Sequence, residues 1–388
     1  MNSNKKLLVI MDQIIVSASN FFVSYYLALK LSLEDFGIYS LFFAVLMLIF
    51  AFYNALLFQP YQLNSMKKHI INKGSLLYST SLILICIQLL LFIYLYLSSN
   101  LEAYKYGFII YLGFFILHEM NRKILLTERR YLKLLFIDFI GYGMRILFII
   151  LFLSNFTEIY YLFYVLGLSY FLSVLLLKHR IQYFSFNIFK EYFHLGKWLL
   201  AIAIVYWLGS QFSIFILGYI HNVALVGVFS ALLIPLGVIR IIQIASESYL
   251  LPILSEHYNK TKKNIRQYII RESYLFYLII IVIYLLLFMF GDYFLELFYH
   301  NKFDDYRNIF TYLIIYGFLQ SIVFQINIYY KIIDNTKLLY KINKNVLYIS
   351  LPVTIFAVYF YGLIGLVFAL IFISLMNLIL LIKSIFYV

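Results

Sequence analysis

The sequence predicts an all-helical protein that crosses a membrane many times, and three observations carry the prediction. Of 388 residues, 64% are hydrophobic and only 12% charged, with a mean hydropathy of +0.92. A soluble domain carries about 25% charged residues, so this chain has too few to cover itself with a water-facing surface. Apolar runs of roughly the 20 residues that a helix needs to cross the hydrocarbon recur from end to end. Lysine and arginine crowd alternate gaps between those runs and are sparse in the others, as the sidedness of membrane loops requires. Runs of this length mean helices rather than barrel strands, because in lipid each segment must satisfy its own backbone hydrogen bonds.

The spans number twelve. The first, 8–29, comes after Lys5 and Lys6 and imitates a signal peptide. No small-residue cleavage site comes after it, and Asp12 and Asn20 interrupt the run, so it reads as a span. The next five are 37–61, 75–97, 106–119, 134–153 and 159–177. The fourth is short and runs into "HEMNRKILLTERR" with no turn signal. The second six are 198–219, 225–246, 273–295, 308–330, 346–361 and 364–382. The 39 tyrosines and 40 phenylalanines suit interfacial belts and helix packing.

The loop charges test this count. With the N-terminus inside, the gaps on the cytoplasmic side, including Arg122, Lys123, Arg129, Arg130 and Lys133, hold 24 of the 30 cations. The outer gaps hold four: Lys30, Lys105, Lys302 and Arg307. A missed or invented span would swap the side of every later loop, so the split supports twelve spans with both termini cytoplasmic. The net charge of +13 is therefore a topology signal and not a nucleic-acid surface, for which no soluble domain exists. The lone Cys86 excludes an intramolecular disulfide. His118-Glu119 begins like a zinc-protease motif, but position 122 is Arg, and the other histidines lack ligand spacing, so neither a metal nor another cofactor is expected. No nucleotide-binding loop appears, which leaves ion gradients as the energy source for any active transport.

The chain repeats itself at an offset of about 190 residues: Gly37-Ile38-Tyr39-Ser40 matches Gly227-Val228-Phe229-Ser230, and "LLFQP" ending at Pro60 matches "SYLLP" ending at Pro252. Six spans per half is an even number, so both halves enter the membrane in the same direction, the parallel-repeat plan of some transporters. The expected organisation is a six-helix bundle over 1–177, an interfacial helical linker over 178–197 whose basic face suits anionic membrane lipids, and a second six-helix bundle over 198–388.

The opening pattern "DQIIVSASNFFVSYYLALKLSLEDFGIYSL" and its counterpart "VGVFSALLIPLGVI" resemble the Wzx-type polysaccharide flippases of the multidrug/oligosaccharidyl-lipid/polysaccharide exporter superfamily. The resemblance covers the whole chain in span count, length and two-half plan. It implies a non-enzymatic protein of the bacterial cytoplasmic (inner) membrane that turns over undecaprenyl-diphosphate-linked oligosaccharides, with a cationic cavity. Implied partners are the lipid-linked substrate, a coupling proton or sodium ion, and a polysaccharide polymerase and glycosyltransferases. Other readings stay open: a drug/cation antiporter or a peptidoglycan-precursor flippase of the same superfamily, or a membrane-embedded polymerase or ligase. The last class usually carries a large outer loop, whereas the longest outer segment here, about 296–307, offers only Asp304 and Asp305 as neighbouring acids.

Charges inside spans cost several kcal/mol and by default face a cavity or a partner. Span five carries Asp138 and Arg145, seven residues or about two turns apart, hence on one stripe of an unbroken α-helix. Arg145 lies roughly 18 Å from Lys133, too deep to snorkel easily, whereas Arg240 lies only about 9 Å from the cytoplasmic end of span eight. Guanidinium forks suit phosphate oxygens. The expected substrate-binding residues are therefore Arg145 and Arg240, with Asn20 as a polar group toward the sugar or a neighbouring helix. Asp12, Asp138 and Glu247 are the expected ion-coupling residues, and Glu119 is expected at the interface.

Overall fold

The computed structural model describes residues 3–66, 73–97, 99–153, 159–176, 186–261, 265–300, 302–333 and 336–387, and every extended regular element among them is helical. In order these are α1 (Ser3–Lys30), α2 (Leu33–Tyr53), α3 (Gln59–Met66), α4 (Lys73–Leu97), α5 (Lys105–Thr127), α6 (Tyr131–Asp138), α7 (Met144–Leu153) and α8 (Tyr160–Leu175). Then come α9 (Phe186–Ile220), α10 (Val223–Thr261), α11 (Ile265–Tyr299), α12 (Arg307–Ile332) and α13 (Thr336–Tyr387). Among the described residues eight helical stretches are long and apolar enough to cross a membrane, so the chain is a multi-pass membrane protein. Rows of outward leucines and aromatics, such as Leu89, Leu90 and Tyr94 on α4 and Phe356, Tyr359 and Phe360 on α13, suit contact with lipid tails.

Three sequence expectations change in detail. The predicted fourth segment does not stop at 119: lacking a turn signal, α5 continues to Thr127 and carries Glu119 and Arg122 within it. The predicted linker falls partly on 177–185, outside the described residues, while 186–197 are the first turns of α9 and continuous with the rest of that helix. The last two predicted segments are one helical element broken at Gly362, whose φ of 59° and ψ of −134° suit a residue without a side chain. The chain folds back there: a Cβ on Gly365 would sit 2.0 Å from Ala357 O, which eight residues of straight helix would hold roughly 12 Å away. His221 Nε2, 2.7 Å from Val358 O, takes up a carbonyl that the break releases.

The chain forms two compact units, one of residues 1–26 and 42–204, the other of 27–41 and 205–388. The first is organised around α5 and α8. Phe42, Phe108 and Phe163 pack as mutually tilted rings with centroids 4.7–5.7 Å apart, and Tyr111 stacks on Tyr170 at 6.1 Å. In lipid no hydrophobic force drives helices together, so such close packing and buried polar contacts must do it.

The second unit shows the internal repeat as geometry. A Cβ on Gly37 would meet Val223 O at 2.0 Å, and one on Gly227 would meet Leu33 O at 1.9 Å. Each glycine thus faces the first residue of the other repeat's helix, at the offset of 190 that the sequence shows, a reciprocal contact of the kind a two-fold axis makes. Only glycine allows backbones this close. Beside this contact Lys302 donates to Ala28 O (2.7 Å), Leu29 O (3.3 Å) and Leu31 O (2.6 Å), capping the C-terminal end of α1 where the helix dipole favours a cation.

Candidate functional site

Asp12, Glu119, Arg122, Asp138 and Arg145 of the first unit converge on a buried cluster built from α1, α5, α6, α7 and α8. Its centre is Arg122, on α5. Arg122 donates from Nε to Asp138 Oδ2 (2.6 Å), from Nη1 to Glu119 Oε1 (3.0 Å) and from Nη2 to Asp12 Oδ2 (3.2 Å), so one guanidinium ties three helices together through three carboxylates. All four residues are buried, Asp138 completely. Glu119 also accepts from the Tyr142 hydroxyl (2.8 Å), and the half-buried Lys123 faces it one turn along α5.

A π turn, Phe139–Gly143, separates Asp138 from Arg145. Such a turn contains one residue more than an α turn, rotating everything after it by about 100°. The single stripe expected for the two residues is therefore broken: Asp138 faces Arg122, and Arg145 faces α1 and α8. The turn also frees the Tyr142 carbonyl, to which Ser19 Oγ donates (2.7 Å) while accepting from Arg145 Nη2 (2.9 Å). Arg145 further donates to Asn20 Oδ1 (2.7 Å) and to the Tyr170 hydroxyl (3.0 Å), and it lies 4.9 Å over the Tyr142 ring. Its guanidinium is buried, yet it reaches Asn20, whose side chain is exposed.

His118 is fully buried beside Asp138. Its Nδ1 is 2.7 Å from Ser173 Oγ and its Nε2 is 3.2 Å from Asp138 Oδ1. A Cβ on Gly141 would approach His118 Cε1 to 2.9 Å, so the glycine of the π turn makes room for the imidazole.

Of the residues expected from sequence, Asp12, Asn20, Asp138 and Arg145 come together here. Arg240 and Glu247 lie in the second unit. Arg240 is exposed, within electrostatic reach of the Tyr316 hydroxyl, and Glu247 bridges α10 to α12 by accepting from Lys331 (2.5 Å). Arg122, counted among the loop cations in the sequence, is instead an ion-pair centre inside α5, and Glu119 is buried against it. His118, Glu119 and Arg122, with Ser19, Tyr142, Tyr170 and Ser173, complete the cluster. The first three share a helical stripe that the uninterrupted "HEMNRKILLTERR" run carries. Asp304, just before α12, accepts from Arg307 (3.0 Å). Among the described residues no group of three His, Cys, Asp or Glu side chains is placed to hold a metal ion.

The same helical fold is found in several solved structures. Lipid II flippase MurJ in an inward closed conformation matches with a TM-score of 0.72 at 14% identity, over 99% of this chain and 87% of that one. An inward-facing multidrug resistance MATE transporter of the MOP superfamily matches at 0.69 and 14% identity (97% and 93% of the chains). The MATE multidrug transporter DinF-BH matches at 0.69 and 14% identity (98% and 94%). At these identities the likeness establishes the fold. No curated protein sequence matches. The family is shown by sequence: the profile described as polysaccharide biosynthesis protein matches residues 26–308, most of the chain, and the chain belongs to that family.

Proposed function

We propose that this protein is a flippase that carries undecaprenyl-diphosphate-linked oligosaccharide repeat units from the cytoplasmic to the outer leaflet of the bacterial inner membrane, by ion-coupled alternating access of two six-helix bundles with twelve crossings and cytoplasmic termini. The observation that carries the reading is the guanidinium of Arg145, buried in the first unit, fixed by Ser19, Tyr170 and two aromatic faces, and reaching the exposed Asn20. A lipid diphosphate brings about two negative charges into a low-dielectric passage, and a pre-oriented guanidinium meets phosphate oxygens with bidentate geometry and little further ordering cost. In this reading Asn20 contacts the first sugar, and Arg240, in the second unit, is a further cation for the substrate. Membership of a polysaccharide biosynthesis family favours a glycan cargo, and the MurJ named among the structural neighbours is a lipid II flippase. Asp12 and Asp138, tied to α5 through Arg122, serve ion coupling, and Glu247, at the α10–α12 seam, is a third acid for it.

Binding of undecaprenyl diphosphate to the purified protein tests this. Arg145→Ala should weaken it roughly tenfold or more, since one charge-assisted contact is worth about 1.5–3 kcal/mol, and Arg145→Lys should restore only part of it. Equal binding by all three proteins overturns the assignment. A drug/cation antiporter is the second reading, favoured by the three carboxylates around Arg122 and by the MATE neighbours. Efflux of an organic cation from vesicles, with no binding of the lipid diphosphate, would establish it instead.

A further inference from the structure

The second unit carries a polar face of a different kind from the charged cluster of the first. Between Leu199 and Ile220 the exposed residues of α9 are Tyr206, Gly209, Ser210 and Tyr219, with no aliphatic side chain among them. A face turned to lipid tails reads otherwise: on α11 the exposed residues include Leu278, Ile279, Val282, Leu285 and Leu286. Gly209 and, on α10, Gly237 are the two glycines among the described residues with nothing within 4 Å of where a Cβ would stand, so both helices border open space.

Tyr206 is 44% exposed, yet its hydroxyl is held from within the unit. Asn343 Nδ2, on α13, donates to it at 3.4 Å, and Asn377 Nδ2 donates to Asn343 Oδ1 at 3.5 Å. Both contacts are at the long limit of hydrogen bonding, so these groups keep capacity for another partner. Asn377 Oδ1 is buried with no hydrogen-bond partner among the described residues, and so is Nε2 of Gln243, a side chain of α10 that is only 7% exposed. Polar atoms left unpaired away from water cost free energy, and a bound ligand is one way of meeting them. Charge, by contrast, is balanced: Glu247, within electrostatic reach of the Tyr206 hydroxyl, accepts from Lys331 at 2.5 Å.

Carboxamides and hydroxyls without net charge suit a neutral ligand rich in hydroxyl groups. The exposed Tyr206 ring, with no side chain at Gly209 one turn on, offers a flat apolar surface for the C–H face of a sugar ring. Ser210, on the same stripe, donates to Trp207 O at 3.3 Å, which leaves its oxygen to accept from a sugar hydroxyl.

We infer that the second unit holds a glycan subsite built on Tyr206, Ser210 and Asn343, which takes a neutral, hydroxyl-rich part of the substrate. The inference rests on the flippase reading above, in which Asn20 of the first unit contacts the first sugar, and adds a second contact for the oligosaccharide. Such a subsite makes the protein prefer a loaded carrier to a bare one.

The test compares two ligands on the purified full chain in nanodiscs: undecaprenyl diphosphate alone, and the lipid-linked oligosaccharide extracted from cells depleted of this protein. Wild type should bind the oligosaccharide form roughly tenfold more tightly or better. Tyr206→Ala and Asn343→Leu should each remove most of that preference while binding bare undecaprenyl diphosphate as wild type does, which also shows that they fold. Tyr206→Phe keeps the ring without the hydroxyl and should retain part of the preference, whereas Gly209→Leu fills the space beside the ring and should lose it. Equal binding of the two lipids by wild type, or a preference that survives both Tyr206→Ala and Gly209→Leu, overturns the inference and leaves the flippase reading standing. Binding of neither lipid by wild type overturns the flippase reading, and the subsite with it.

Discussion

Replacing Arg122 by leucine removes the guanidinium that faces three buried carboxylates at 2.6, 3.0 and 3.2 Å. Leucine fills part of the space but leaves Asp12, Glu119 and Asp138 without the cation that offset their desolvation. Breaking a buried ion pair by deleting one partner costs about 3–5 kcal/mol, because the surviving charge stays out of water. Three survivors put this variant at the upper end. For a unit of this size, each kcal/mol moves the unfolding midpoint by roughly 2–4 °C, so the expected loss is on the order of 10 °C or more. The assay is thermal unfolding of purified protein in detergent, monitored by the monomer peak on a sizing column. Arg122→Lys keeps the charge but gathers its donors on one nitrogen, which cannot span the three acids that Nε, Nη1 and Nη2 reach separately, and should fall between the two. Combining Arg122→Leu with Asp138→Asn removes one uncompensated charge and should recover several degrees. A midpoint within about 2 °C of wild type for Arg122→Leu, or no recovery in the double variant, would refute the view that Arg122 neutralises these acids.

The same geometry sets other outcomes. Gly37→Ala and Gly227→Ala place a methyl about 2 Å from Val223 O and Leu33 O and should lower the yield of folded protein, whereas Gly237→Ala, with nothing within 4 Å, should be neutral or slightly stabilising. Lys302→Met leaves the carbonyls of Ala28, Leu29 and Leu31, at and just past the end of α1, without their donor and should cost about 1–3 kcal/mol, read as a lowered midpoint. Gly141→Val drives a branched side chain into the His118 ring and should cost about 1–3 kcal/mol, read as a lowered midpoint.

Much of the fold was legible because lipid imposes a simple rule on the chain. Helices occupy the long apolar runs, and the break at Gly362 falls in the short gap between the last two of them. The repeat, visible as Gly37 and Gly227 at one offset, returns as a reciprocal backbone contact. Asp12, Asn20, Asp138 and Arg145 stood out because ionisable or polar groups are expensive in a span. Arg122 and Glu119 were misplaced for the opposite reason: a stretch dense in charge looks like a loop, and only its neighbours reveal that the charges cancel one another inside a helix.

Periodicity and hydropathy by themselves determined that this is a helical, multi-pass membrane protein with charges held inside it. They act on each segment separately, since backbone hydrogen bonds in a span are local. Which charges meet is another matter. A single extra residue in the π turn at Phe139–Gly143 sends Asp138 toward Arg122 and His118 and Arg145 toward Ser19, Asn20 and Tyr170. Residues up to 126 positions apart supply those partners, and only the packing of five helices decides them.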